Sequence, residues 1–221
     1  MRIGLLVATV ARTPRVESGA RLHLTTPSAS RIHAMRAGRA ELEQKFFVAR
    51  GGWLELQPSL LIPQKDCRYR QTTRVQVEDG GELFLVESLS PGRVAHGEWF
   101  QFSGIDWEFD LYWAGRLIAR ERFVLRPRDE SLAALKSPFP HGYYASGYLI
   151  TERLTAANDC WRQINELNSG DVLVAASRLA AAGWSIKLLA RDSPALDSTL
   201  KAIRRILSVS LPALQSNARK L

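Results

Sequence analysis

The stretch ELFLVESLSPGRVAHGEWF, residues 82–100, decides the fold of this chain. Its first half alternates with the two-residue period of a strand with one buried face, and Glu87 falls on the same side as two leucines. Pro91-Gly92 predicts a turn, because proline fixes φ and glycine allows positive φ. We expect a second short strand to open after Gly97 and to begin with Glu98.

Three charged side chains, Glu87, Arg93 and Glu98, are thereby placed near one turn inside an otherwise apolar surface. Charged residues beside a turn are usually solvated and form no site. Glu87 differs because it lies within a run of apolar residues, and a buried carboxylate is normally paired or functional. Glu87 is therefore the first candidate for a functional side chain.

The composition is that of a soluble globular protein, with 46% hydrophobic and 24% charged residues in a chain of 221. This length can bury a sizeable core, in one large domain or in a domain with a smaller appendage. The net charge of +8 and the pI near 9.9 favour nucleic acid, an anionic membrane surface or an acidic protein as partner. The arginines are spread out with no run of five like charges, so charge alone does not prefer nucleic acid over an acidic protein.

Two features of the sequence bear on the cellular compartment. Cys67 and Cys160 are far apart and have no CxxC or Cys/His spacing, which predicts two free thiols in a cytosolic protein. Residues 3–11 form an apolar segment behind one arginine, which faintly resembles a signal peptide but is too short to span a membrane. A strand, or an artefact of the choice of start site, explains this segment better than export does.

Residues 1–126 are predicted to form a β-rich domain, because strand patterns alternate with glycine turns almost throughout. Such repetition favours a sandwich, a barrel or a β-solenoid, and no strict short repeat chooses among them. The fold class is mainly β. The predicted strands cover residues 20–26, 41–50, 53–56, 68–78, the first half of 82–100, 107–113 and 116–125.

Residues 127–221 are predicted to be a smaller α+β part with two helices, packed on the same domain as one structural unit. A proline-rich linker opens this part. In the last helix, an apolar stripe predicts a buried face, with Lys201, Arg204 and Arg205 pointing away from it into solvent. The predicted elements are a linker at 127–142, a strand at 143–151, a helix from a Thr155 cap to Leu167, strands at 172–175 and 184–190, and a helix at 195–210 behind Ser193-Pro194.

The sequence contains no familiar catalytic motif. Neither a phosphate-binding glycine loop nor a GxSxG elbow is present, and the four histidines are scattered without a metal-ligand spacing. His96 and Glu98 form the best candidate for a general-base pair, since alternation places them on one face, but they have no nucleophile or cofactor motif. An enzyme built on this chain would need a site that the sequence does not reveal, so an enzyme that uses this pair is the third and least favoured alternative.

The chain resembles the urease accessory proteins of the UreD type, also called UreH, over roughly residues 15–220. The strongest piece is GRVAHGEWF at 92–100, where the family pattern is a glycine-arginine pair followed by glycine-glutamate. The likeness lies, in order, in GARLHLTTPSASRIH at 19–33, WLELQPSLLIP at 53–63, the stretch at 82–100, GRLIARERFVL at 115–125, VLVAASRLAAAGWSIKLLARDS at 172–193 and ARK at 218–220.

This resemblance implies a mainly β, helix-like solenoid with appended helices and no catalytic activity. It also implies a cytoplasmic chaperone for nickel insertion that works with a UreF-type accessory protein, a UreG-type GTPase and the urease apoprotein. Nickel is then in transit through a water-filled internal passage, and no cofactor is bound tightly. Neither nucleic acid nor a membrane is an expected partner, and homodimer formation is left open.

By position, the resemblance assigns the passage to Ser30, Arg31, Glu87 and Glu121, with Glu87 and Glu121 as transient nickel ligands. Arg93 and Glu98 are further polar residues with a passage-lining or a structural role. The chemistry agrees in kind, because oxygen ligands hold a dication weakly enough to release it, unlike a closed Cys/His site.

The chain departs from the family pattern in its first segment, where relatives carry further strands and a PGGxxGGD motif that is missing here. Ser59 stands where many relatives have Asp, and His33 where Tyr is usual. These departures suggest a late start site or a truncated gene, so a non-functional remnant is one alternative. The other is a β-rich carbohydrate- or nucleic-acid-binding module that uses exposed Trp99, Trp107 and Trp113.

Overall fold

The structure is a computed structural model that describes residues 9–35, 37–129, 132–136 and 140–215, and it contains two sheets. The first sheet comprises β1 (Thr9–Arg12), β2 (Arg15–Val16), β5 (Ala40–Val48), β8 (Arg68–Val77), β10 (Gly104–Trp113) and β11 (Arg116–Leu125). The second comprises β3 (Arg21–Thr25), β4 (Ser30–Ile32), β6 (Trp53–Gln57), β7 (Leu61–Pro63), β9 (Glu82–Leu89), β12 (Tyr143–Ile150), β13 (Val172–Arg178) and β14 (Trp184–Ala190). The helices are α1 (Cys160–Asn165) and α2 (Ser193–Ser208), with 3₁₀ turns at Val94–His96, Leu132–Lys136 and Pro212–Leu214.

The chain winds between the two sheets as a short solenoid. Along the chain, β5, then β6 with β7, then β8, β9 and β10 alternate between the sheets, and within each sheet these neighbours are parallel. From β11 onwards the added strands pair antiparallel, β11 with β10 and β12 with β9. The prediction of a mainly β, solenoid-like fold with a small helical part is therefore confirmed, and the structure excludes a simple sandwich of hairpins.

Glycine turns stack at the corners of the solenoid. Gly51 and Gly80 both have positive φ, near 73° and 75°, and the Gly51 amide donates to the Gly80 carbonyl at 2.8 Å. Each of these left-handed glycines lets the chain turn from a strand of the first sheet into a strand of the second sheet. Because the two turns lie on top of each other, β9 stays in register with β6.

The central strand β9 has two buried faces rather than the single buried face that its alternation predicted. Leu85 packs between the sheets, whereas Phe84 and Val86 pack in a second apolar cluster with Trp161 and other side chains of the C-terminal part. The prediction was wrong because α1 and α2 cover the outer face of the second sheet, which period alone cannot reveal.

No second strand opens after Gly97, contrary to the prediction. Val94–His96 forms a 3₁₀ turn, and Gly97 ends it with a left-handed φ of 75°. His96 and Glu98 therefore do not share a strand face, and the candidate general-base pair is not formed. Arg93 and the Lys65 amide instead hold Glu98 in place.

The C-terminal helices differ from the prediction in their starts. Residues 155–158 form a turn in which the Thr155 amide donates to Asn158 Oδ1 at 2.6 Å, so α1 begins only at Cys160. At α2 the N-cap is Asp192, whose Oδ1 accepts from the Ala195 amide at 2.8 Å. Asp192 follows the end of β14 by two residues and caps the helix, because a carboxylate satisfies free amides at a helix N-terminus.

Arg204 does not point into solvent as its position on α2 predicted. Its Nε donates to Glu55 Oε1 at 2.7 Å, and the Glu55 side chain is only 1% exposed. The helix thus carries one arginine onto a buried carboxylate of β6, because an unpaired carboxylate there would be costly. Lys201 points outward as predicted and pairs with Asp197 on its own helix.

Two tryptophans that were expected to be exposed are buried. Trp99 and Trp107 lie in the interior, and Trp107 stacks on Phe123 with ring centroids 5.7 Å apart. Trp113 is half-buried. Among the described residues, these three tryptophans therefore do not form the exposed aromatic platform that the carbohydrate- or nucleic-acid-binding alternative requires.

Both cysteines are buried and free, as predicted. Burial raises the pKa of the Cys67 thiol to about 12. No helix among the described residues is long and apolar enough to cross a membrane. Most of the apolar N-terminal segment and the closing ARK lie outside the described residues, as does part of the predicted linker.

We expect Gly183→Ala to destabilise the protein by about 2–4 kcal/mol, because strain and overlap combine there. Gly183 has φ near 77°, and an added Cβ would lie 2.3 Å from the Leu149 carbonyl oxygen. Gly115 has a similar φ of 76° with nothing within 4 Å of an added Cβ, so Gly115→Ala serves as the control. Urea unfolding should show the smaller loss for Gly115→Ala, and equal losses would contradict the predicted overlap.

Candidate functional site

A row of side chains in each sheet faces the other sheet, and the two rows meet in the interior. In the first sheet, the pairing of β5, β8, β10 and β11 places four residues side by side in one row: Gln44, Thr73, Phe109 and Glu121. The facing row across the second sheet consists of Glu87, Ser146 and Lys187. We use the name polar cluster for Gln44, Gln71, Thr73, Glu87, Glu121, Tyr144, Ser146, Tyr148 and Lys187.

Glu87 lies at the inner end of the polar cluster, with its side chain only 3% exposed. Its Oε1 accepts from Gln71 Nε2 at 2.7 Å, from Thr73 Oγ1 at 2.8 Å and from Gln44 Nε2 at 3.5 Å. Burial raises the pKa of Glu87 to about 7, and nearby Glu121 adds to this effect. Glu87 therefore exchanges a proton near neutral pH, which an ordinary surface glutamate does not do.

Glu121 forms the centre of the polar cluster. Tyr144 donates to its Oε1, and Ser146, Tyr148 and Lys187 donate to its Oε2. Burial acts to raise the pKa of this carboxyl, but the Lys187 ammonium and the hydrogen bonds outweigh it and hold the pKa below its usual value. Glu121 is thus a permanent anion beside a Glu87 that gains and loses its proton.

The Lys187 ammonium occupies a cage of four oxygen atoms. Its Nζ lies 2.5 Å from Glu121 Oε2, 2.6 Å from Ser146 Oγ, 3.1 Å from the Tyr148 hydroxyl and 3.4 Å from the Tyr144 hydroxyl. Burial raises the pKa of both tyrosines, so their hydroxyls stay neutral. The lysine side chain is 40% exposed, so the polar cluster reaches the surface here.

Comparison with known proteins identifies the family. The model of the family described as UreD urease accessory protein matches residues 10–220. The chain belongs to the UreD family. It is similar to the "Urease accessory protein UreD" of Opitutus terrae, at 39% identity over 208 residues that cover 93% of this chain and 76% of the relative. The same-named protein of Mycolicibacterium gilvum is 33% identical over 187 residues, covering 83% of this chain and 67% of the relative.

Membership in the UreD family places the chain among the accessory proteins of urease, with a role in urease maturation. The resemblance found in the sequence is therefore confirmed. A further UreD protein, from Acetivibrio thermocellus, is 28% identical over 201 residues, or 87% of this chain and 73% of that relative.

Of the six site residues predicted from sequence, the structure brings Glu87 and Glu121 together in the polar cluster. Ser30 lies on β4 in the register row that runs through Leu61 and Leu89 to Tyr144, so it shares a row with one member of the cluster. Arg31, its neighbour on the strand, is exposed. The passage-lining roles of Ser30 and Arg31 stay predictions.

Arg93 and Glu98 form a separate ion pair outside the polar cluster. Arg93 Nε donates to Glu98 Oε2 at 2.8 Å, and Arg93 Nη2 also donates to Glu98 Oε1. The Lys65 amide donates to the same carboxylate at 3.0 Å. This two-pronged pair fixes the turn between β9 and β10, so its geometry favours the structural role over the passage-lining one.

Sequence reasoning missed Lys187, Tyr144 and Tyr148. A signal for Lys187 was present, because a lysine inside the apolar strand WSIKLLA has either to be paired or to reach solvent. The two tyrosines alternate with Ser146 along β12, which is the pattern of one polar strand face. What the sequence did not reveal is that this face lies opposite Glu121.

We expect Glu87→Gln to change how stability depends on pH. Between its unfolded pKa and its folded pKa of about 7, Glu87 holds a proton in the folded state that the unfolded chain has released. This contribution to the unfolding free energy is complete below the unfolded pKa and is lost as pH rises through the folded pKa. Urea unfolding from about pH 5.5 to about pH 7.5 should favour the variant progressively, by about 2 kcal/mol in total. Parallel pH profiles would contradict the raised pKa, and Glu43→Gln on the outer face of β5 is the control.

Proposed function

We propose that this chain is a urease maturation factor that helps to deliver nickel to the active site of the urease apoprotein. It acts in the cytoplasm as a scaffold, together with UreF-type and UreG-type accessory proteins. The main support is the polar cluster, whose oxygen cage already holds a cation, the Lys187 ammonium, beside two carboxylates. Nickel is cargo in transit, and the chain needs no resident cofactor.

The ligand chemistry suits transfer better than storage. Among the described residues, no group of three or more His, Cys, Asp and Glu side chains is placed to hold a metal ion. Glu87 and Glu121 supply carboxylate oxygens, and their neighbours supply neutral hydroxyl and amide groups. Oxygen ligands of this kind hold a borderline dication loosely, so that it can move on.

The thiols are poor alternatives as nickel ligands. Burial raises the pKa of Cys67 to about 12 and also raises the pKa of Cys160. Both thiols therefore remain protonated at neutral pH, whereas metals bind the thiolate. The carboxylates are the better ligands in this interior.

Burial across the polar cluster gives the proposed route a direction. Lys187 is partly exposed, Glu121 is less exposed, and Glu87 is almost fully buried between the sheets. A dication that enters beside Lys187 meets Glu121 first and Glu87 next, where Gln71 and Gln44 contact the Glu87 carboxylate. Each step exchanges one oxygen ligand for another.

Urease activation with purified components tests the proposal. The chain is captured with the UreF-type and UreG-type proteins of its own genome, and activation of the apoprotein is measured for Glu87→Ala and Glu121→Ala. We expect both variants to form the complex but to lose most of the activation, because each removes a carboxylate from the route. Glu43→Ala is the control, since Glu43 lies next to Gln44 on the solvent face of β5.

Two outcomes would overturn this proposal. Full activation by both variants would show that nickel does not need these carboxylates. Failure of the wild-type chain to form the complex or to activate urease would favour the alternative of a non-functional remnant of the family.

A further inference from the structure

The second sheet extends further sideways than the first, so that it projects beyond the edge strand β11 of the first sheet. We call this ledge beside β11 the step. β11 is the last strand of the first sheet, whereas the second sheet continues past β12 through β14 to β13. Glu121 of β11 bonds to Tyr148 of β12 and Lys187 of β14, so β11 lies over these two strands. Among the described residues no strand pairs with the outer edge of β11, and β13 exposes Leu173 and Ala175 on the face that continues the interior.

Exposed apolar side chains are concentrated at this step. Four large apolar side chains are exposed in the described part of the chain. Leu117 at 43% and Val124 at 41% lie near the two ends of β11 on its solvent face, and Leu173 at 40% lies on β13 beside the step. An apolar cavity of about 380 Å³ opens at its foot, between the end of β11 and β14, and its lining includes Phe123, Leu125, Tyr144 and Leu189. Leu173 and this cavity together offer exposed apolar surface that a partner segment can cover.

Charges on the solvent face of the first sheet alternate from strand to strand. We call the charged side chains along the solvent face of one strand a column. The columns are acidic on β5, basic on β8, acidic on β10 and basic on β11, with Lys45 of β5 as an exception. Asp110 of β10, for example, contacts Arg120 of β11 at 2.7 Å and Arg74 of β8 at 3.6 Å. The members of the columns are Glu41 and Glu43, then Arg70 and Arg74, then Asp106, Glu108 and Asp110, then Arg120 and Arg122.

We propose that the free edge of β11 binds an extended acidic segment of a partner protein as an added strand. Backbone hydrogen bonds to β11 supply the affinity, as in other complexes formed by strand addition. Acidic side chains on the solvent face continue the alternation beside Arg120 and Arg122, because opposite charges on neighbouring strands attract. Apolar side chains on the other face cover Leu173 and fill the cavity beside Leu189.

A second copy of this chain fits the step less well. Pairing of β11 with β11 of another copy brings Arg120 and Arg122 of both copies onto adjacent strands, where like charges repel. Arginines on an edge strand therefore prevent self-association while they attract an acidic segment. The net charge of +8 acts in the same direction.

This proposal goes beyond nickel transfer and does not rest on it. The proposed binding edge shares β11 and Tyr144 with the polar cluster, but Arg122→Glu and Leu173→Lys change neither Glu87 nor Glu121. Loss of strand binding therefore leaves the proposed nickel route untested, and failure of the nickel route leaves the edge proposal intact.

Fluorescence anisotropy with the full chain and a labelled peptide tests the proposal. The probe is a peptide of about nine residues that alternates glutamate with valine or leucine, and the comparison peptide has lysine in place of glutamate. We expect only the acidic peptide to bind, and to bind more weakly as salt rises. Hydrogen exchange of the backbone amides of residues 116–124 should slow in the complex, because the added strand pairs with them.

Three variants make the test specific. Arg122→Glu reverses a charge on the edge and Leu173→Lys places a charge on the exposed apolar face of β13, and each should weaken binding about tenfold or more. Arg50→Glu reverses an exposed charge at a distant turn, where Arg50 pairs with Asp79, and should have little effect. Both edge variants change exposed side chains, and thermal melting confirms that they fold.

Three results would overturn the proposal: no binding of the acidic peptide, binding without protection of residues 116–124, or equal weakening by Arg50→Glu. Protection of these amides in the chain alone, with a dimer in sedimentation, would assign the edge to a second copy instead.

Discussion

Arg204→Met is expected to destabilise the protein by about 3–5 kcal/mol, the range found when one partner of a buried ion pair is removed. Glu55 is 1% exposed and depends on Arg204, whose Nε and Nη2 donate to its two oxygens at 2.7 and 3.3 Å. His23 Nε2 lies 3.9 Å from Glu55 Oε1, too far for a hydrogen bond. Without the guanidinium, a carboxylate would remain in the interior with little compensation, so urea unfolding should show a large loss.

The same helix provides the control for this experiment. Lys201 pairs with Asp197 at the surface, so Lys201→Met should change stability by no more than about 1 kcal/mol. Adding Glu55→Gln to Arg204→Met should restore much of the lost stability, because the buried charge is then gone. No restoration in the double variant would mean that Arg204 acts through packing rather than through Glu55.

Lys187→Met is expected to tighten nickel binding at least about tenfold, because it removes a positive charge from an oxygen cage that nickel would share. The ammonium lies 2.5 Å from Glu121 Oε2 and 2.6 Å from Ser146 Oγ, so a dication can use these atoms only if Lys187 withdraws. The partly exposed lysine side chain can swing towards solvent. Calorimetric titration of the isolated chain with a nickel salt measures the effect.

Two further variants decide how this result is interpreted. Lys201→Met removes the same charge from the surface of α2 and should leave nickel affinity unchanged. Glu121→Ala in the Lys187→Met background should abolish the gain, since it removes the carboxylate that both cations use. Equal affinities of wild type and Lys187→Met would show that the ammonium does not compete with nickel in the polar cluster.

On the proposed nickel route, Lys187 balances the charge of the two carboxylates in the polar cluster. Two carboxylates so close together in a buried space need compensation, and here Lys187 neutralises Glu121 while Glu87 has a raised pKa. On this proposal, the two carboxylates need no metal ion to balance their charge. A dication that displaces the ammonium restores the balance of charge, so binding and release both remain easy.

Local patterns in the sequence were enough to identify most strands and the fold class. β11 and β14 have the predicted bounds, and β3, β5 and β8 differ by only one or two residues at their ends. This success has a physical reason, because alternation of apolar residues and glycine turns are local properties of the chain. The family resemblance could also be read directly from the residues, and it named Glu87 and Glu121.

Only the tertiary structure decided what surrounds each side chain. β9 has two buried faces because helices later in the chain cover it, and Arg204 turns inward because Glu55 lies beneath α2. The oxygen cage of Lys187 joins β11, β12 and β14, which meet only when the sheets stack. The sequence determined which residues were polar in apolar strands, and long-range register determined which of them meet, because strand pairing across the sheets depends on contacts far apart in the chain.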